Sequence, residues 1–280
     1  MISIAKDSAP PAGTLPWDMQ QLDYEHIDFD RVRHDETLFF VLTSASLIES
    51  GSDMYTQVLL NYFEGSDAGK WLSEQWEPEE LQHGLALRRY VETVWPEFDW
   101  TAANTQFLAE YSGYCSTDQL EETRALELVA RCIIEAGTAA LYRSIHDYTD
   151  EPVLKQLTNF IRSDEVRHYK HFSTYFNQYN FSSKHGRWPV LKAVVRRLME
   201  LRNEDSDCAL RHVFRGRYPD QSVDSEAFRA ISVKARGLVI KNLSHNMMVK
   251  MVLHPLQLPP KVQHIVQKPC VSMIRRFMVS

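Results

Sequence analysis

The sequence predicts an all-α protein, and three observations support this prediction. Gly and Pro are sparse, with 10 and 12 among 280 residues. Apolar residues recur at steps of three and four over long segments, which is the spacing of one face of a helix, and alternation of the kind found in strands is hard to find. Because 44% of the residues are hydrophobic and 24% are charged, we expect a globular chain rather than a disordered or collagen-like one.

Gly and Pro fall where the apolar spacing is interrupted, and these breaks define four long helices. They are predicted over 36–63, 70–95, 118–147 and 152–178, with a shorter helix over 101–113 in the crossover between the second and third. The fourth long helix begins at Pro152, a position that proline favours. Four long helices with one longer crossover indicate a four-helix bundle.

The remaining segments define the predicted domain organisation. Residues 1–35 contain Pro10, Pro11 and Pro16 and few apolar pairs, which predicts an extended leader along the surface. Residues 36–180 form the predicted bundle. Residues 181–280 are expected to pack on it as a C-terminal helical extension, with helices over 188–203, 223–252 and 260–277.

Charge and targeting patterns narrow the functional classes. Residues 1–140 hold 8 Lys and Arg against 25 Asp and Glu, whereas residues 141–280 hold 23 against 12. This asymmetry indicates either two solvated halves or a basic docking surface for an acidic partner. No apolar run approaches the roughly 18 residues of a membrane span, no secretory signal is visible, and the four cysteines lack C-x-x-C pairing. We therefore expect a cytoplasmic protein that binds no nucleic acid.

Two Glu-x-x-His pairs lie in the second and fourth predicted helices. They are Glu80/His83 and Glu165/His168. Residues three apart share one face of a helix, so each pair can direct a carboxylate and an imidazole at one ion. Both pairs lie on the apolar stripe of their helix, and the stripes of the first and third helices each contribute one glutamate, Glu49 and Glu135.

Four buried carboxylates and two buried imidazoles require a counter-charge, because isolated ions in an apolar core are strongly disfavoured. Two divalent cations would balance four carboxylates, and oxygen-plus-imidazole ligation suits iron or manganese better than zinc. The order Glu, Glu-x-x-His, Glu, Glu-x-x-His is that of ferritin-like dimetal carboxylate proteins. Asp53, one turn from Glu49, is an alternative ligand, and surface or salt-bridged positions are the alternative for the whole set.

Two further residues are candidates for roles beside the metals. Asp164 could accept a proton from a ligand imidazole, most plausibly that of His83, or lie in solvent as an ordinary helix-face acid. Thr138, one turn after Glu135, could place its hydroxyl beside bound oxygen or bond back to its own helix.

Three segments carry a resemblance to a known family. The stretches W-E-P-E-E-L-Q-H-G (76–84), I-E-A-G-T (134–138) and D-E-V-R-H (164–168) resemble the soluble acyl-acyl carrier protein desaturases, which are ferritin-like diiron proteins. The resemblance covers 36–178, although the chain is shorter than the plant enzymes. It implies that Asp164 is hydrogen-bonded to a ligand and that Thr138 lies by the oxygen site. The iron ligands that it implies are Glu49, Glu80, His83, Glu135, Glu165 and His168.

The resemblance also implies an activity. Such an enzyme uses two Fe ions, O2 and electrons from a ferredoxin-like donor to desaturate an acyl chain on acyl carrier protein, and it is a homodimer. The basic docking contacts expected for the acidic carrier are Lys192, Arg196, Arg197 and Arg202. A diiron hydroxylase or oxygenase acting on a carrier-bound intermediate, and a ferroxidase-type iron protein, remain alternatives. The carrier itself could be an acyl or peptidyl carrier protein or coenzyme A.

Overall fold

The computed structural model describes residues 15–115, 119–203 and 205–279, and the side chains of 201–205 and 273–279 are outside this description. The described residues contain α-helices and short 3-10 or π turns and no strand, so the prediction of an all-α fold of long packed helices is confirmed. The helices are α1 Phe29–Val32, α2 Glu36–Ser50, α3 Ser52–Tyr62, α4 Asp67–Trp71, α5 Glu77–Val94, α6 Trp100–Tyr111, α7 Arg124–Tyr148, α8 Pro152–Ser183, α9 Arg187–Asn203, α10 Asp205–Arg217, α11 Glu226–Asn242, α12 His245–Leu253 and α13 Pro260–Val279.

The helices differ from the sequence-based prediction in several places. The helix predicted over 70–95 contains a π turn, Leu72–Trp76, between α4 and α5, and the helix predicted over 118–147 begins at Arg124. The first predicted helix, 36–63, is divided into α2 and α3, because the backbone of Gly51 leaves helical geometry (φ −95°, ψ 7°). The Gly51 N–H still donates to the carbonyl oxygens of Leu47 and Ile48 and so caps the end of α2. The helix expected over 223–252 is also two, α11 and α12, with Ser244 preceding the second. Helix α10 was not predicted.

Contacts divide the helices into two units, of which the first comprises Met1–Gln119, Thr149–Phe160 and Asn203–Arg236. In it, α2 packs on α5, and α10 packs on both α2 and α6. Indole N–H groups satisfy buried acceptors: Trp100 donates to Ser46 Oγ at 2.8 Å and Trp95 to the carbonyl of Arg33 at 3.0 Å. These bonds and the aromatic core around Phe39 fix α2, which carries Glu49, against its neighbours.

The start of α8 is held in the first unit by one buried carboxylate. Glu151 is fully buried and accepts hydrogen bonds from the backbone N–H groups of Val153 and Leu154, at 3.1 and 2.6 Å, and from Tyr90 Oη at 3.0 Å. The unpaired amides of a helix N-terminus are thereby satisfied by a side chain that also connects α5 to α8.

The second unit comprises Leu120–Tyr148, Ile161–Arg202 and Gly237–Ser280. Helix α12 packs on α7 and on α13, and Tyr169 Oη donates a 2.7 Å bond to the carbonyl of Met251. The N-terminal part of α7 contains a buried ion pair, in which Arg131 Nε lies 2.7 Å from Glu127 Oε1.

Residues 1–14 of the expected leader lie outside the described residues. From residue 15 onward the segment forms two 3-10 turns and α1, and five of its apolar side chains are buried, namely Trp17, Leu22, Tyr24, Ile27 and Val32. Within the described part of the chain, no helix combines the length and apolarity needed to cross a membrane.

Candidate metal centre

Helices α2 and α5 approach closely where their candidate ligands lie. A methyl group on Gly84 would lie 2.9 Å from the backbone nitrogen of Ser50 and 3.0 Å from the carbonyl carbon of Glu49. Only glycine therefore permits this backbone contact. Glu49 (5% exposed) and His83 (0%) sit beside it, so Gly84 sets the spacing of the two helices at the level of their ligands.

A π-helical turn, Leu72–Trp76, leads into α5, whose first turn contains Pro78 and the acidic residues Glu77, Glu79 and Glu80. π turns occur frequently at functional sites. The turn ends with the buried Trp76, whose ring lies 5.8 Å from that of Tyr55. The Tyr55 hydroxyl in turn lies 3.4 Å from Glu80 Oε2, so an aromatic pair flanks this carboxylate.

A second ring flanks His83. The indole of Trp17 stacks on this imidazole with ring centroids 6.2 Å apart and planes inclined by 10°, and Gln82 Nε2 donates a 3.0 Å bond to the carbonyl of Trp17. No role for Trp17 is predicted from the sequence. The one sequence feature that indicates burial of this segment is a tryptophan that stands alone among proline and polar residues.

Helices α7 and α8 supply the other half of the predicted ligand set. Glu135, Glu165 and His168 are 2%, 2% and 1% exposed, and His168 Nδ1 lies 3.4 Å from Glu135 Oε2. Thr138 Oγ1 lies 2.7 Å from Glu165 Oε2 and 3.2 Å from the carbonyl oxygens of Ile134 and Glu135. The Thr138 hydroxyl has one hydrogen, so it can donate a hydrogen bond either to the Glu165 carboxylate or to a carbonyl oxygen of its own helix.

The six predicted ligands form two overlapping groups in which one donor atom of each member lies within 4.8 Å of the others. The first group is Glu49, Glu80, His83 and Glu165. The second is Glu80, Glu135, Glu165 and His168. Glu80 and Glu165 belong to both, each group includes one histidine, and every member is buried.

The structure places two residues for which the sequence left alternatives open, Asp53 and Asp164. Asp53 lies beyond the Gly51 break, is half-buried with its pKa raised by that burial, and belongs to neither group, whereas Glu49 belongs to the first. Asp164 is 1% exposed rather than solvated, and its Oδ1 lies 2.8 Å from Arg167 Nη2. Its proposed bond to His83 stays a prediction.

The residues predicted to contact a carrier protein differ in exposure. Lys192 is exposed, and Arg196 is half-buried with its Nε 3.0 Å from Glu121 Oε1. Arg197 is 9% exposed and pairs with Glu200 at 3.0 Å, and burial, together with the charge of Arg131, lowers its pKa. Its guanidinium is therefore part of an internal ion-pair cluster. The side chain of Arg202 lies outside the described residues.

The donor set fits a pair of divalent cations. Four buried carboxylates balance two such ions, and oxygen donors with one imidazole per group match the preferences of iron and manganese. These observations define the class of site as a buried carboxylate–histidine centre that could bind metal ions.

Comparison of the sequence with protein-family models finds no match, and comparison with curated proteins finds none either.

Proposed function

We propose that this protein is a diiron, O2-dependent oxidoreductase that desaturates an acyl chain carried on acyl carrier protein. The observation that supports this most strongly is the overlap of two buried Glu/His groups through Glu80 and Glu165. When bound, the iron pair would supply O2 activation, with electrons from a ferredoxin-like donor.

The chain's own residues would hold the ions and keep water out. Glu80 and Glu165 belong to both groups and would help to hold both ions. The remaining members would bind one ion each, and they are Glu49 and His83 in one group and Glu135 and His168 in the other. Because all six side chains are buried, their charges interact in a low-dielectric setting, which strengthens metal binding and disfavours the empty site.

Thr138 is proposed as the residue that positions a proton at this centre. Its hydroxyl donates to Glu165 Oε2 at 2.7 Å, so it would fix the orientation of a carboxylate that belongs to both groups and hold a proton beside it. Asp164, fixed by Arg167 and buried, is proposed to hydrogen-bond a ligand imidazole and so to orient it.

The carrier and reductant belong to the proposal as well. An acidic carrier complements the basic C-terminal half of the sequence, and Lys192 and Arg196 are the exposed and half-exposed contacts offered on α9. We further propose that the protein acts in the cytoplasm as a homodimer, as the desaturase resemblance implies.

The test is turnover by the iron-loaded full-length chain with stearoyl- or palmitoyl-acyl carrier protein, O2, ferredoxin and ferredoxin reductase. Mass spectrometry of the released acyl chain should show the loss of two hydrogens, and Glu165→Gln should abolish it. A chain gaining one oxygen would replace the desaturase with a hydroxylase. Rapid Fe2+ oxidation with an unchanged acyl chain would replace it with a ferroxidase.

A further inference from the structure

A second cluster of metal-type donors lies apart from the carboxylate-rich centre. Glu110 on α6, with Cys208 and His212 on α10, provides one oxygen, one sulfur and one nitrogen atom that all lie within 4.8 Å of one another. Cys208 and His212 are four residues apart, so they share one face of α10, and that helix packs on α6. The sequence analysis assigned none of these residues a role.

We propose that Glu110, Cys208 and His212 form a separate cation site that binds Zn2+. Thiolate, imidazole and carboxylate are the three ligand types that zinc takes in proteins, and the thiolate distinguishes this site from the all-oxygen-and-imidazole centre. Three protein ligands leave a fourth position for water or another small ligand.

The distances are close to those of a bound ion. Two donors at ~2.1 Å from a tetrahedral ion lie ~3.4 Å apart. His212 Nε2 and Glu110 Oε2 are already 2.9 Å apart, and the three donor atoms span no more than 4.8 Å. Side-chain adjustments on the order of an ångström would therefore complete the site.

The imidazole of His212 is oriented toward the cluster, because its Nε2 atom lies 2.9 Å from Glu110 Oε2. Its side chain is 5% exposed, and its Nδ1 atom has no hydrogen-bond partner among the described residues. A buried polar nitrogen without a partner costs stability, and it is usually explained by a ligand or a function. Because Nδ1 lies on the other side of the ring from Nε2, a water molecule at Nδ1, rather than the ion, would remove that cost.

Two arginines form ion pairs with Glu110, and their charges also limit the affinity of the proposed site for a cation. Its Oε1 lies 2.6 Å from Arg211 Nη2, and its Oε2 lies 4.0 Å from Arg215 Nη1. These ion pairs orient the carboxylate and leave Oε2 on the side of His212. Because their positive charges oppose a divalent cation, we expect binding weaker than that of a structural zinc site. The competing explanation is an ion pair that only joins α6 to α10.

Cobalt titration of the full-length protein tests the proposal, because Co2+ bound by a thiolate gives a sulfur-to-cobalt charge-transfer band that oxygen and nitrogen ligands do not give. We expect this band, its displacement by Zn2+, its loss in Cys208→Ser, and about tenfold weaker binding in Glu110→Gln. The matched control is Cys132→Ser, which removes the other buried cysteine and should leave the band unchanged.

A second readout covers the case in which a variant folds poorly. In wild type, excess Zn2+ added after the iron centre is saturated should raise Tm. In His212→Ala the same addition should leave Tm unchanged. Circular dichroism of His212→Ala in EDTA serves as the control that this variant is still helical. A wild-type protein without the charge-transfer band, or a band of equal size in Cys208→Ser, would overturn the proposal and leave the ion pair as the explanation.

Discussion

The backbone of Gly84 on α5 lies against the backbone of Ser50 at the end of α2, so closely that a methyl group on Gly84 would be 2.9 Å from the Ser50 nitrogen. This contact lies next to both Glu49 and His83. It explains why a glycine immediately follows His83: the spacing of the two helices, and with it the separation of the candidate ligands Glu49 and His83, depends on a missing side chain.

Gly84→Ala should therefore damage the metal centre as well as the fold. The obstructing atoms are backbone and cannot rotate away, so we expect a loss of about 1–3 kcal/mol in the free energy of unfolding and reduced iron binding. Urea unfolding and iron analysis measure the two effects. Gly237→Ala is the control, because a methyl group there meets nothing within 4 Å and should stabilise α11 by up to about 1 kcal/mol. Equal stability and iron content in both variants would show that the α2–α5 contact is not required.

Thr138→Val should change the centre without unfolding the protein. The substitution keeps the volume but removes the 2.7 Å contact with Glu165 Oε2, so the orientation of that carboxylate is no longer fixed by a hydroxyl. We expect an altered optical spectrum of the iron-loaded protein and slower turnover, with both restored in Thr138→Ser. If Thr138→Val has the wild-type spectrum and rate, the hydroxyl serves only its own helix.

Glu151→Ala should be among the most destabilising single changes outside the metal centre. It leaves the buried N–H groups of Val153 and Leu154 and the Tyr90 hydroxyl without their acceptor, and we expect a loss of about 2–3 kcal/mol. Tyr90→Phe, which removes one of these bonds, should cost about 1 kcal/mol. Ordinary surface substitutions change the free energy of unfolding by up to about 0.5 kcal/mol. A change no larger than that in Glu151→Ala, measured by urea unfolding, would contradict the role of Glu151 as the acceptor at the start of α8.

Glu110 should contribute stability that disappears in acid. The pKa of Glu110 is lowered to about 2, chiefly by the bond from Arg211; burial opposes this shift, and the bond from His212 adds to it. Because the folded-state pKa is the lower one, this contribution is present above about pH 4.5 and is lost as the pH falls toward 2. Wild type should exceed Glu110→Gln by less than about 1 kcal/mol at pH 6 in EDTA and low salt, since the pair is partly exposed. The difference should vanish near pH 2, and a constant difference across this range would be inconsistent with the ion pair.

Much of this fold and centre could be predicted because helical periodicity and ligand spacing are local properties. The Glu-x-x-His pairs show in the sequence which carboxylates lie on apolar stripes, and burial of Glu80 and Glu165 follows from that pattern. The break at Gly51 was not predicted, because a single glycine is compatible with either a continuous or an interrupted helix. The packing of Trp17 on His83, and the convergence of Glu110 with Cys208 and His212, were not predicted either. They depend on contacts between residues far apart in sequence, which no local pattern encodes.

Metal content is the most direct test of the central claim. The full-length protein is loaded anaerobically with Fe2+, desalted and analysed for iron per chain, alongside Glu80→Gln and Glu165→Gln, each of which removes a carboxylate shared by both groups. We predict about two iron ions per wild-type chain, an oxygen-dependent change in its optical spectrum, and little iron in either variant. A helical, fully folded wild-type chain that retains no iron would contradict the account, as would variants that retain as much iron as wild type.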